Sequence, residues 1–315
     1  MFVPFLSSRA SSGSSALTRR RGGGKSSGGG KSGGSSGGKT GGSSGGSGGK
    51  VTSGALGSSP VKSSSITIGG SSRTASQYNG GGGRISVIPT GQPFSGRSEG
   101  GATRSQVWGT RAYGSGYPTY YSRGVAGRGF PFYFWPLVWG SGYGYGGNTA
   151  YLHSDEYGRA DNGSRPGGVM TSVAFQSNST GTTFRLVADN ATATDLLGSV
   201  AANCSSHFAP LPTPLPVPTA FNARAPPVAP EQVVQYFRAS SVALSLDGYN
   251  NSAVFAPENS TTDTPLPAGI DTALLECLNS TIGLAVPLID GTPRMAVPSG
   301  AATATLVLLL LRALL

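Results

Sequence analysis

Hydrophobic periodicity is confined to the second half of the chain. From Gly168 onward, Val169, Thr171, Val173 and Phe175 alternate with smaller residues, and Phe184, Leu186 and Ala188 do the same. The intervening Asn178-Ser179-Thr180-Gly181 is turn chemistry, so the two runs predict a β-hairpin. Leu196, Leu197, Val200, Ala201 and Cys204 then fall on one stripe at helical spacing, with Asp189 or Asn190 placed to cap it. Residues 209–230 carry eight prolines and predict an extended, polyproline-like excursion. Pro230-Glu231 predicts the start of a short helix running to Phe237, with Val233, Val234 and Phe237 facing inward. Val242, Leu244 and Leu246 predict a third strand. Residues 271–282 predict a third helix, with Leu274, Leu275, Leu278 and Ile282 on one face. The expected order is ββα, linker, αβα. It describes a small α+β domain over 152–290, with a three-stranded sheet and about three helices against one of its faces.

Nothing comparable precedes it. Residues 22–50 are almost wholly Gly, Ser and Lys, and runs such as Gly80 to Gly83 cannot repay their ordering entropy. A disordered arm over 11–105 is therefore expected. Lys25, Lys31, Lys39 and Lys50 recur loosely after Gly pairs, without the fixed period of a solenoid. Over 106–151 the composition changes abruptly, and 14 of the chain's 27 aromatic residues lie there. The densest run, FPFYFWPLVW at 130–139, holds Pro131 and Pro136 and is too short to span a bilayer. Packing over the following domain is the preferred reading. The alternatives are an interfacial membrane contact and a stacking surface for sugar or base rings.

Charge divides the molecule further. Residues 1–125 hold 15 Lys and Arg against the single acid Glu99, a balance of +14, whereas 126–315 hold 8 basic and 12 acidic residues, a balance of −4. A basic arm can neutralise an anionic polymer such as nucleic acid, an acidic glycan or a lipid surface. Scattered cations that merely keep a Gly/Ser tract solvated are the plainer reading.

The two ends bear on location. Residues 301–315, AATATLVLLLLRALL, fall short of the roughly 20 apolar residues of a spanning helix, and Arg312 interrupts them. They fit the removed tail of a glycolipid-anchor signal, with Asp290-Gly291-Thr292 as the small attachment triplet and eight spacer residues after it. Ser299 opens a second candidate triplet with a short spacer. A short tail anchor and a buried C-terminal helix are the alternatives for 291–315. At the other end Met1 to Leu6, MFVPFL, resembles the back half of a signal peptide, with Ser8 and Ala10 of the right size around a cleavage point. Residues 1–10 are thus expected to be a truncated leader.

Asn-x-Ser/Thr occurs at Asn162, Asn178, Asn190, Asn203, Asn250, Asn259 and Asn279. That is seven of the ten Asn residues between Asn148 and Asn279, where chance would place about two or three. Cys204 and Cys277, the only cysteines, lie in the same region. Bonded, they would close a long loop and stabilise the fold by about 4 kcal/mol. Both features favour export into an oxidising compartment.

Chemistry is sparse. Residues 33–40, GGSSGGKT, match the phosphate-binding loop pattern letter for letter, yet neither flank is apolar enough to be the strand or helix that such a loop needs. His153 stands beside Asp155 and Glu156, and His207 is the only other imidazole, so no third soft metal ligand is at hand. No GxSxG or HExxH motif occurs. No catalytic residue, metal or cofactor is expected, and the chain is expected not to be an enzyme.

The stretches GRGFPFYFWPLVWG at 127–140, AYLH at 150–153, SRPGG at 164–168, FQSNST at 175–180 and SLDGYNN at 245–251 resemble a group of uncharacterised fungal surface proteins, Gly- and Ser-rich at the front and hydrophobic at the C-terminus. The resemblance covers about 107–290 and implies a cell-surface location without implying an activity. Two function classes remain. One is a membrane-anchored surface protein whose basic arm reaches into an anionic wall polymer. The other is an intracellular nucleic-acid-binding or condensate-forming protein that uses Gly/Arg/Lys and Tyr-Gly segments such as Tyr143-Gly144-Tyr145. Arg-Gly-Gly occurs once, at Arg21, so nucleic acid is the less favoured partner.

Overall fold

A computed structural model describes residues 62–117, 123–140, 147–152, 155–222, 228–258 and 260–291. All of them belong to one of two units, Leu56–Leu315. Residues 1–61, where the leader and most of the arm with its GGSSGGKT match are expected, together with Tyr143 to Tyr145, His153, Asn259, Ser299 and the apolar C-terminus, lie outside the described residues.

The first strands form where none is expected. β1 (Ser63–Ile68) and β2 (Ser71–Ser76) pair antiparallel across Gly69 and Gly70. Both glycines have positive φ, 55° and 76°, as a tight two-residue hairpin turn demands. Only Ile66, Ile68 and Ala75 of this hairpin enter the core, so its Ser and Thr positions carry no apolar alternation to read. Two short strands, β3 (Ser86–Val87) and β4 (Ser98–Glu99), pair next. The expected irregular arm therefore does not extend to residue 105.

The main sheet contains the expected hairpin, β5 (Met170–Gln176) and β6 (Thr183–Asp189), in full antiparallel register from Met170 opposite Asp189 to Gln176 opposite Thr183. Helix α1 (Asn190–Cys204) follows at once, and its N-cap is Asp189, whose Oδ1 accepts the Thr192 N–H at 3.0 Å. β7 (Thr219–Ala220), β8 (Val233–Phe237) and β9 (Val242–Leu246) complete a five-stranded sheet in the order β7-β5-β6-β9-β8. Helix α2 (Thr272–Ala285) has Asp271 as its N-cap, bonded to the Leu274 N–H at 2.9 Å. β10 (Leu288–Ile289) then returns to pair with β2, opposite Ser76 and Ala75.

The α+β class stands, but its finer outline is corrected: the sheet has five strands, and the described residues hold two α-helices rather than three. The expected helix from Pro230 is a single 3-10 turn, Pro230–Gln232, that runs directly into β8. Val233, Val234, Tyr236 and Phe237 are β-branched or aromatic, and they find backbone partners on both sides. β9 lies on one side, while the Tyr236 and Arg238 N–H groups donate to Thr110 and Val107 on the other.

All five residues of β9 are buried, so the sheet is covered on both faces. The helices pack together on one. The aromatic run meets the sheet through Trp139, 5.9 Å from the Phe221 ring and 6.5 Å from Tyr236. Phe130, Phe132, Tyr133, Phe134, Leu137, Val138 and Trp139 are all buried. The preferred expectation of packing thus holds for these residues, while Trp135 of the same run stays half-exposed. Residues 106–140 and the expected 152–290 domain share one core.

Candidate functional site

Two arginines organise the interior around the start of α1. Arg238 sits in the turn between β8 and β9, where Arg238, Ala239 and Ser240 all hold positive φ near 50–60°, an unusual conformation for three successive residues with side chains. Its side chain is completely buried. Nη2 donates to Asp189 Oδ2 at 2.7 Å, Nη1 to the Pro287 carbonyl at 3.0 Å, and Nε to Ser241 Oγ at 2.8 Å. The guanidinium carbon lies 3.4 Å from the centroid of the Phe134 ring. One side chain thus ties together the α1 cap, the segment before β10 and the aromatic run. Burial lowers its pKa to about 10, Asp189 opposes the shift, and the group stays cationic at neutral pH.

Arg165 is buried as well, and backbone carbonyls surround it. Nη1 donates to the Tyr157 carbonyl at 3.0 Å, and Nη2 to the carbonyls of Pro136 at 2.5 Å and Trp135 at 3.3 Å. Desolvation brings its pKa down to about 10 too. Gly167 follows it at φ 85°, and a Cβ there would stand 1.8 Å from Asp189 Oδ1. The loop 163–168 therefore abuts the α1 cap because position 167 carries no side chain.

That loop, the half-exposed Trp135, Tyr133, Gln92 and the β1–β2 turn line a cleft of 590 Å³. Its carboxylate, Glu99, is buried, accepts from Ser86 Oγ at 3.0 Å and lies 3.7 Å from Arg73. The cleft wall is polar and apolar in about equal measure, with Gln92, Glu99 and Arg165 beside Ile68, Phe130 and Trp135. Such a lining can bind a small molecule, and no nucleophile–base pair stands in it. Among the described residues no three His, Cys, Asp or Glu are grouped to hold a metal ion, and no helix is long and apolar enough to cross a membrane.

The sequence-marked residues fall as follows. Cys204 and Cys277 are bonded, with Cα atoms 5.9 Å apart, and the bond staples α1 to α2. Asn178 is exposed in the β5–β6 turn, and its side-chain amide donates to the Ser206 carbonyl at 2.9 Å. Asn250 is exposed in the turn after β9, Asn190 and Asn203 are exposed near opposite ends of α1, and Asn162 is half-buried. Asn279 is half-buried on α2, and its Oδ1 is sealed from solvent without a partner among the described residues. Asp290 is exposed and bridges Gly82. Asp155 begins a 3-10 turn, Asp155–Tyr157, and Glu156 in that turn forms an ion pair with Arg97. His207 stands near the carboxylate of Asp271, which hydrogen bonds from Leu274 N–H and Ser177 Oγ hold below the usual carboxylate range.

Pattern reading did not single out Arg238, Arg165 or the exposed pair Ile85 and Val87. The one available signal was a lone Arg between two apolar strand runs, FRASSVAL at 237–244. No protein-family model matches this chain, and no curated protein or solved structure does.

Proposed function

We propose that this chain is a non-enzymatic, exported cell-surface protein, attached to its membrane through the C-terminus. The observation that carries the reading is the Cys204–Cys277 bond between α1 and α2. Such bonds persist in oxidising compartments. The surface positions of Asn178, Asn190, Asn203 and Asn250 support it, because a glycan needs that access. Between the two attachment candidates, Ser299 is favoured over Asp290. Transfer at Asp290 would remove Gly291, whose N–H donates to the Gly81 carbonyl at 3.2 Å and closes the last bridge of the fold. The eight Lys and Arg of residues 1–61, unaccompanied by any acid, supply charge for an anionic wall polymer. The nucleic-acid alternative has less support, since the rings of 130–139 that would stack on bases are spent on the core apart from the half-exposed Trp135.

Replacing each of Leu308, Leu309, Leu310 and Leu311 by serine in cells expressing the whole protein tests this reading. Glycosylated protein should then appear in the medium, whereas the unaltered chain stays cell-bound until a phosphatidylinositol-cleaving lipase is added. A native C-terminal peptide that ends at Leu315 would replace the glycolipid with a tail anchor, and an unglycosylated cytosolic product would reject export.

A further inference from the structure

The described chain leaves the fold beside an exposed apolar patch. Asp290 bridges Gly82, and Gly291 bonds to Gly81. Ile85 stands three residues beyond Gly82, and an extended chain covers at most about 3.6 Å per residue, so its backbone lies within about 11 Å of that exit. Ile85 is 68% exposed and Val87 65%, which is unusual for large apolar side chains in a fold this well packed. Val87 ends β3 and Ile85 immediately precedes that strand, so the two exposed side chains stand on either side of Ser86 in sequence. Arg84 is exposed and Arg73 half-buried, and with Ile85, Ser86 and Val87 they line a shallow depression of 470 Å³. After Gly291 the sequence runs 24 residues and ends in LVLLLLRALL.

We propose that Ile85 and Val87, flanked by Arg84 and Arg73, are the face this protein lays on the lipid bilayer to which its C-terminus attaches. The proposal rests on the C-terminal attachment reading above. A short tether leaving the fold at Gly291 holds that end close to the bilayer, and the patch is the part of the described surface beside the tether. The two apolar side chains enter the interfacial layer and the exposed Arg84 meets lipid phosphates, whereas Arg73 is held by Glu99. The exposed carboxylate of Asp290 at the exit offsets part of that charge, so binding depends mainly on Ile85 and Val87.

The test uses the whole chain with the four serine replacements at 308–311, so that the tail does not contribute, and measures co-sedimentation with phosphatidylcholine vesicles with and without phosphatidylserine. Salt near about 0.5 M screens the basic N-terminal residues, which would otherwise bind anionic vesicles in every variant. The parent should bind both vesicle types. Ile85→Ser with Val87→Ser should weaken binding by about 30-fold or more, the cost of leaving two apolar side chains in water. Arg84→Ala should cost no more than about fivefold on anionic vesicles and nothing on phosphatidylcholine alone. Val87→Trp should tighten binding, which guards against a serine variant that merely misfolds. Val217→Ser, at an apolar residue 83% exposed elsewhere, should change nothing. A parent that binds neither vesicle at high salt, or patch variants that bind like the parent, would overturn the proposal. Failure of the attachment reading shows separately, as tail-substituted protein that remains cell-bound.

Discussion

Replacing Arg238 by methionine keeps most of the side-chain volume but leaves the Asp189 carboxylate buried without its cation. Asp189 is only about 6% exposed, so water cannot take over. Removing one partner of a buried ion pair costs about 3–5 kcal/mol, and loss of the contact with Phe134 adds about 1 kcal/mol. A domain of this kind has about 5–15 kcal/mol in total. The variant should therefore lose a large fraction of its stability, read as a lower urea midpoint under non-reducing conditions. Asp189→Asn keeps a capping oxygen for Thr192 but strands the guanidinium, and should cost a similar amount. The double variant should cost less than the two single losses together by about 2 kcal/mol or more, because neither leaves a lone buried charge behind. A single-variant cost below about 1 kcal/mol, or losses that add within about 0.5 kcal/mol, would refute the view that this pair joins α1, the β8–β9 turn and the aromatic run.

Gly167→Ala should destabilise the fold by about 3 kcal/mol or more in the same assay, since it combines a positive φ with a Cβ directly against Asp189; a loss below about 1 kcal/mol would mean that the loop shifts freely. Asp271→Asn should cost about 1 kcal/mol at pH 7. Because the folded carboxyl is held below its unfolded value of about 3.9, the charge-dependent stability is present above that value and fades as pH falls through the lower folded pKa. The gap between wild type and variant, followed by urea midpoints from neutral pH down to acid, should accordingly shrink, and a constant gap would count against the assignment.

The parts of the fold that sequence revealed are those where apolar contrast is strong and local. The β5–β6 hairpin and both helices follow from period-2 and period-3.6 patterns. The Asp189 cap of α1 is one of two candidates that the pattern offers, whereas Asp271 reads as the first residue of α2 rather than as its cap. The first hairpin did not, because it buries so little that its strands read like the polar tract before it. Pro230 misled for a related reason: proline suits the first turn of a helix, but the Val-Val-Gln-Tyr-Phe after it has a free edge on each side to pair with. The pairing of β10 with β2 joins residues more than two hundred positions apart, which no local pattern encodes. Of the candidate sites, the cysteine pair was legible because there were only two to join. Arg238 and the exposed pair Ile85 and Val87 needed the fold, since burial and exposure are properties of position rather than of residue type.

Export into an oxidising, glycosylating compartment is the central claim, and a non-reducing mass-spectrometric peptide map of the native protein tests it most directly. The map should contain one cross-linked peptide pair joining Cys204 to Cys277, with N-linked sugar on Asn178 and Asn250, both exposed in turns. The Asn178 amide keeps one hydrogen after glycan attachment and can still donate to Ser206. Asn279, half-buried on α2, should be unmodified. Two alkylatable thiols together with bare Asn178 and Asn250 would contradict the account.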